Sequence, residues 1–546
     1  MLFVNLKTLF YVKKGKNQVM SSKREKLYNG IELPQEWPPK YPMEIFQRKE
    51  NPYPPYLVSP PDVIHIGVGR ELFVDDFLIE KTTCKRSFHY PEKYSGNPIL
   101  APETPLELQP PSFAGPKSGG VWFDYQKKIY RMWYEASFLG PICYAESRDG
   151  LHWERPDLDV VPGTNRVLPY GLKADSWTVV YDYYTKKESE RFKLFLQEAC
   201  WLSRAMCMTS PDGIHWSRPV AAGYAGDRST MFYNPFRKKW CFSLRAYGDQ
   251  PFFRFRDYAE GDDFMADCQW GGVLGKDPET RAVHWACADS QDQPHPELGI
   301  EPQLYNLDAV PYESLMLGFF QIHYGPSNDV GEKTGIPKIT ELEFAYSRDG
   351  FHWLRPDRNC AIRSEFKDVW DRGYVQSLGN ICTVDQEKLT FYYIGFQGKE
   401  STGIRTAMYS RGATGAAFLR RDGFASMDAD SEGTILTRVL TFSGSHLFVN
   451  ADAPDGRLTV EVLTPECEVI EGFSEAECCA VSENSTKCMI RWRNASLAAL
   501  KDRKIRLRFH LKHASLYAFW ISRSEKGESA GYLAGGSADY SGPVDL

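Results

Sequence analysis

One heptapeptide is written three times along this chain. Ser147-Arg148-Asp149-Gly150-Leu151-His152-Trp153, Ser210-Pro211-Asp212-Gly213-Ile214-His215-Trp216 and Ser347-Arg348-Asp349-Gly350-Phe351-His352-Trp353 share one pattern. Each is followed by an Arg-Pro pair: Arg155-Pro156, Arg218-Pro219 and Arg355-Pro356. A fainter copy, Arg421-Asp422-Gly423-Phe424, closes the series. The copies recur at a period of roughly 65 residues, with one double-length gap that holds a degraded unit. A period of that length fits a four-stranded blade with long loops, and blades repeated around an axis make a propeller.

Each unit reads as successive strands ahead of the motif. In the first, Gly120 to Asp124, Ile129 to Ala136 and Ile142 to Ser147 are aromatic and β-rich, and amphipathic helical spacing is absent. The Asp-Gly pair that follows is a tight-turn signal: Gly accepts positive φ, and Asp hydrogen-bonds the backbone two residues on. An Asp and a His recurring in every good copy suit a task that each blade needs. The motif is therefore a structural turn rather than a catalytic site, with its Trp packing between blades. Five such units span about residues 100 to 424.

The flanks read differently. Residues 1–62 are rich in Pro and charge, as in Leu33-Pro34-Gln35-Glu36-Trp37-Pro38-Pro39, and suit an extended arm. Lys13-Lys14-Gly15-Lys16 upstream of Met20 suits a translated ribosome-binding site, which makes Met20 the expected start. The propeller occupies residues 63–427. Leu72 to Ile79 is a clear strand, expected to close the ring by completing the last blade. Beyond it the motif stops and short alternating strands imply a β-sandwich over residues 428–528. A Gly- and Ser-rich tail, 529–546, is expected to be flexible. The fold class is thus all-β, a five-bladed β-propeller followed by a C-terminal β-sandwich.

Composition excludes several partners. Net charge is −6 with both signs mixed along the chain, so no basic stripe invites nucleic acid. No apolar run approaches the roughly 18 to 20 residues of a membrane span. The 13 cysteines are scattered and odd in number, which suits free thiols in a reducing, cytoplasmic setting. No nucleophile-elbow, zinc-protease, Walker or dinucleotide pattern occurs, and no cofactor is expected. A cation on the propeller axis would leave no sequence signature. Oligomeric state is not written in the sequence.

Five units followed by a sandwich, with Leu72-Phe73-Val74-Asp75-Asp76-Phe77-Leu78-Ile79-Glu80, Phe88-His89-Tyr90-Pro91-Glu92-Lys93-Tyr94, Asn97-Pro98 and Met132-Trp133-Tyr134, resembles the invertase, levansucrase and arabinanase superfamily. It is closest to invertase-like bacterial proteins of unassigned activity. The resemblance covers most of residues 60 to 520 and implies a carbohydrate substrate. The invertase segments Asn-Asp-Pro, Arg-Asp-Pro and Glu-Cys are absent from the blades. Catalytic residues are therefore not carried over by motif.

Physics locates the site instead. Propellers bind ligands in the axial funnel, where the inner strands begin. Glycosidic hydrolysis needs two carboxyl groups, one protonated and one ionised. Acids just before inner strands are Asp175, Asp227, Glu301 and Asp371, with Glu107 or Lys117-Ser118 in the first blade. Asp175 and Asp227 are expected as ionised members and Glu301 as the proton donor. Asp371 could substitute for any of them. Arg228, Arg245 and His323 suit hydroxyl or carboxylate recognition, and Trp177 and Trp370 suit stacking on a sugar face. The leading expectation is a glycoside hydrolase acting in the funnel. A phosphorylase using phosphate in place of water, which Arg228 and Arg245 would serve, and a non-catalytic carbohydrate-binding propeller are the alternatives.

Overall fold

The computed structural model of the chain describes residues 24–169, 173–198, 202–247, 254–274, 276–399 and 407–546; Met20 lies outside them. Each full copy of the repeat closes on itself in the same way. The Asp149 carboxylate accepts the backbone N–H groups of Leu151 and His152, both at 2.9 Å, and shares a hydrogen bond with His152 Nδ1 at 2.7 Å. Asp212 does the same for Ile214 and His215, and Asp349 for Phe351 and His352. The hydroxyls of Ser147, Ser210 and Ser347 each accept the N–H of the motif glycine at 2.9 Å. Those glycines hold φ of 77°, 75° and 81°, a region in which a Cβ is penalised. The motif is a self-contained turn.

The third copy is buried where the first is open. The Asp349 side chain is 3% exposed and that of Asp149 is 52%. Asp349→Ala strands two backbone N–H groups and an imidazole away from water, at a cost of about 1–3 kcal/mol for each buried group left unpaired. Asp149→Ala leaves the equivalent groups to solvent. Chemical denaturation should therefore show Asp349→Ala well below wild type and Asp149→Ala close to it.

Five sheets stand around one axis. The first blade has Ala114–Gly115 and Val121–Asp124 on its inner edge, then Ile129–Ala136 and Ile142–Ser147. The second runs Ala174–Tyr181, Phe192–Glu198, Leu202–Ser210 and Val220–Gly226. The third runs Thr230–Asn234, Lys239–Tyr247, Arg254–Gly261 and Val283–Cys287. Gln303–Glu313, Leu315–Gly325 and Ile339–Ser347 form the fourth, and Gly373–Val384, Lys388–Phe396 and Gly412–Arg420 the fifth. Trp side chains tie one blade to the turn of the next. Trp133 Nε1 donates to the Gly213 carbonyl at 2.6 Å, and Trp285 Nε1 to that of Phe351 at 2.7 Å.

The ring is not closed by Leu72 to Ile79. The outer strand of the fifth blade is Glu92–Lys93, paired with Ala417 and Phe418. Glu71–Leu72 instead pairs with Ala518 and Phe519, and Ile79–Thr82 with the strand Ala425–Thr437. The physical reason is burial. Phe73, Phe77 and Leu78 belong to the apolar core of the second sheet, and Asp75 is held by Arg348 of the fourth blade through two bonds of 2.9 Å.

That second sheet has eight strands and is organised by one long strand, Arg506–Ser522. His446–Asp452 and Arg457–Leu463 share one of its flanks, and Ala425–Thr437 lies on the other. Residues of the N-terminal arm complete its core, among them Leu27, Ile31 and Tyr56.

The tail is not loose. Tyr532–Leu533 pairs with Glu313 and Tyr312 of the fourth blade. Gly535 accepts the N–H of Phe123 at 2.8 Å and donates to the Cys382 carbonyl at 3.0 Å, so it reaches the first and fifth blades as well. Glycine permits this: a Cβ at Gly535 would meet Asn380 Nδ2 at 2.4 Å. Composition alone suggested flexibility, but these small residues are required by close backbone approach across the axis. Among the described residues no helix is long and apolar enough to cross a membrane.

Candidate functional site

Inner strands meet through short polar side chains. Ser118 of the first blade pairs through its backbone with Thr178 of the second, Thr178 Oγ1 accepts the N–H of Met231 in the third, and Thr230 Oγ1 donates to the Leu307 carbonyl of the fourth. Asp308 is the hub. Its Oδ2 accepts Asn306 Nδ2 at 2.8 Å, Ser118 Oγ at 3.5 Å and the hydroxyl of Ser377. Burial pushes the Asp308 carboxyl up, against the opposing charge of Arg228.

Above this floor the inner strands begin, and there the charged groups gather. Ser176 Oγ donates to the Gly226 carbonyl at 3.4 Å and accepts the N–H of Ser229 at 3.1 Å. These bonds bring the segment of Asp175 against that of Asp227. Both carboxylates are partly open to solvent, with side chains 30% and 24% exposed. Each has a cation at its side. Lys117 Nζ is 4.0 Å from Asp175 Oδ1, and Arg245 forms an ion pair with Asp227.

Lys117 also reaches Glu135 at 2.8 Å. Glu135 is fully buried at the end of the second strand of its blade, where Trp177 Nε1 donates to it at 3.4 Å and Leu139 N–H donates as well. Burial raises the Glu135 carboxyl from its ordinary value, against the pull of Lys117.

On the opposite side, Lys338 Nζ donates to Tyr305 OH at 2.9 Å and lies over the rings of Tyr305 and Tyr374, at 4.5 and 4.3 Å. Tyr305 OH also meets Tyr374 OH at 3.0 Å, and its ring stacks on His323. Burial alone would raise the Tyr305 phenol; Lys338 and Arg254 outweigh it and bring it down to about 7. Burial, then Lys338, Arg254 and Arg245, hold His323 well below the usual imidazole range, so it is neutral at physiological pH.

The structure thus brings together Asp175, Asp227, Arg228, Arg245 and His323 of the expected residues. Glu301 is not with them. Its side chain is 63% exposed and paired with Lys49 of the arm, because the strand starts beyond it at Gln303. Asp371 is buried away from the axis against its own blade, accepting from Lys93 at 2.7 Å and from Tyr393 OH at 3.1 Å. Trp370 packs on Tyr393 and lines a lateral cavity with Ser112, Gln397 and Arg411. Trp177 is fully buried and offers no face to a sugar; it positions Glu135. Glu107 is likewise structural, bonded to Tyr134 at 2.6 Å and Arg155 at 2.7 Å.

Glu135, Arg254, Tyr305 and Lys338 were missed. The search counted the starts of inner strands, yet the funnel also receives the ends of second strands and the starts of third ones. Glu135 ending the apolar run Met132-Trp133-Tyr134 was the available signal. Among the described residues no group of three or more His, Cys, Asp or Glu side chains is disposed to hold a metal ion.

Fold and site together define a five-bladed β-propeller with a charged axial pit. No family model matches the chain, and no curated protein matches it. Among solved structures it is similar to an N-acetylgalactosamine deacetylase from F. plautii in complex with blood group B trisaccharide (14% identity, 61% of this chain and 96% of that one, TM-score 0.41). It is also similar to an α-L-arabinofuranosidase from Podospora anserina (12%, 60% and 97%, 0.37) and to a β-1,2-mannobiose phosphorylase from Listeria innocua (12%, 60% and 96%, 0.37). Likenesses this distant say nothing of activity.

Proposed function

We propose that the protein is a glycoside hydrolase-like enzyme that cleaves a glycosidic bond in the propeller funnel. One observation carries the reading. Two part-exposed carboxylates, Asp175 and Asp227, stand on neighbouring segments that Ser176 joins by hydrogen bonds, and each is held beside a cation. The floor beneath them carries buried polar atoms, among them His323 Nδ1, Gln376 Nε2 and Asn306 Oδ1, that have no protein partner. Buried polar groups are normally paired, so a set of orphans around one pit points to a polar ligand. A carbohydrate supplies hydroxyls of that kind.

Asp175 and Asp227 then act as the acid–base pair at the scissile oxygen and the anomeric carbon. Glu301 plays no part. Lys117 and Glu135 are positioning residues: Lys117, anchored by Glu135, fixes the backbone of Asp175 through a bond of 3.3 Å to its carbonyl. The test is a screen of aryl glycosides and oligosaccharides against wild type and Asp175→Asn. Release of aglycone that falls at least a hundredfold in the variant is the expected result. Equal release by both proteins would reject the assignment.

A further inference from the structure

On the side of the third and fourth blades, the positive charge of the funnel exceeds what the carboxylates there balance. Arg228, Arg245, Arg254 and Lys338 enter the pit from the third and fourth blades. Beside them stand Asp227, which is paired with Arg245, and Asp308, whose Oδ2 is bonded by Ser118, Ser377 and Asn306, whose Oδ1 has no partner and whose charge faces Arg228. Lys338 is 3% exposed and bonded to the Tyr305 phenol, which offsets its charge only when ionised; among the described residues Arg228 and Arg254 have no such partner beyond Asp308. Buried cations ordinarily have an anionic partner.

Several of these groups also carry unused donors. Arg228 is 3% exposed, and its Nε and Nη2 have no partner; neither has Nε of Arg254 nor Nδ1 of His323. Arg228 sits at φ 58°, a backbone conformation disfavoured for a residue with a Cβ. It is held there by Arg256, whose Nη2 donates to the Arg228 carbonyl at 2.7 Å. A second arm of Arg256 donates to the carbonyl of Tyr305 at 3.3 Å. One fully buried guanidinium thus fixes the two backbones that present Arg228 and Tyr305 to the pit. Strain kept in place by such a brace is a mark of functional sites.

We infer that the floor of the funnel is an oxyanion-binding site, in which Arg228, Arg254 and Lys338 grip a phosphate or a sugar carboxylate. Arginine forks and a lysine point charge are the groups suited to such oxyanions. The phenol of Tyr305, lowered toward neutrality, reports the same unbalanced potential. The inference rests on the funnel being the substrate site and names the charge of what enters it. A phosphate would serve as co-substrate: its oxygen bonds the anomeric carbon as the glycosidic C–O bond breaks, and the departing oxygen takes its proton from the carboxylic acid of the site. A carboxylate would belong to the substrate itself, as in a uronate.

Calorimetric titration of the full chain with inorganic phosphate, with glucuronate and with glucose tests this without requiring turnover. Binding of phosphate or glucuronate is expected, weakened at least tenfold in both Lys338→Met and Arg254→Gln, with glucose binding unchanged by either. Arg254 is partly exposed, so its variant keeps the test valid should Lys338→Met fail to fold. Binding of phosphate, with sugar 1-phosphate formed from a glycoside, assigns the co-substrate. Binding of glucuronate alone assigns an acidic sugar. Absence of binding by both anions, or binding that the variants leave unchanged, overturns the inference. Hydrolysis of neutral glycosides in that case would leave the proposed activity standing.

Discussion

Asp227→Asn should reduce turnover by a factor of about 10² to 10⁴, the range associated with a positioned acid or base. The substitution keeps the shape of the side chain and its bond capacity toward Arg245, so the ring should remain intact. What is lost is the ability to take or give a proton at the reacting oxygen. Arg245, deprived of its ion pair, keeps its charge at the mouth, and an anionic substrate should bind no more weakly than before. The expected signature is therefore a fall in kcat with KM little changed. A variant that retains full kcat would remove Asp227 from the chemistry, whatever its effect on KM.

Asp422→Asn should cost about 3–5 kcal/mol of folding stability, the range for breaking a buried ion pair from one side. Asp422 belongs to the faint fourth copy of the repeat, where the His of the motif is replaced by Ala425. Its carboxylate is therefore free for a different task. It accepts Arg70 Nη1 at 2.8 Å, Asn450 Nδ2 at 3.0 Å and Tyr312 OH at 2.5 Å, joining the second sheet to the fourth blade. Burial pushes the Asp422 carboxyl up, but Arg70 and Arg421, aided by Tyr312 and Asn450, outweigh it and hold it below its ordinary value. A carboxyl depressed in the folded state contributes stability that is complete above the unfolded value of about 4 and is lost as pH falls through the folded one. Urea denaturation of wild type should weaken along that acid limb, and the variant should lack this part of the dependence. Equal stability of the two proteins at neutral pH would show that the junction carries no such load.

What was legible followed from locality. Ile129–Ala136 and Ile142–Ser147 were read with their observed bounds, since each is fixed by its own alternation and an adjacent turn. Glu92–Lys93 left no comparable trace. It is a charged dipeptide whose strand character comes wholly from a partner more than three hundred residues away. At the site, Asp175, Asp227, Arg228 and Arg245 were reached by asking which charges stand at strand ends. Glu301 satisfied the same question two residues too early, and the arm drew it outward through Lys49. Tyr305 and Lys338 were invisible for another reason. A tyrosine in an aromatic-rich β chain reads as packing, and only its neighbours in space reveal a polar task.

The route of the chain has a mechanical consequence. It enters the second sheet between Glu71 and Phe88, leaves to lay down the blades, returns from Ala425 to Ser522, and then goes back to the ring at Tyr532. Each body is thereby stitched with thread from both sides of the other. A cut near residue 428 would not release two self-sufficient halves. It would strip one of its edge strands and leave the other without the terminal segment that ties its fourth, first and fifth blades together.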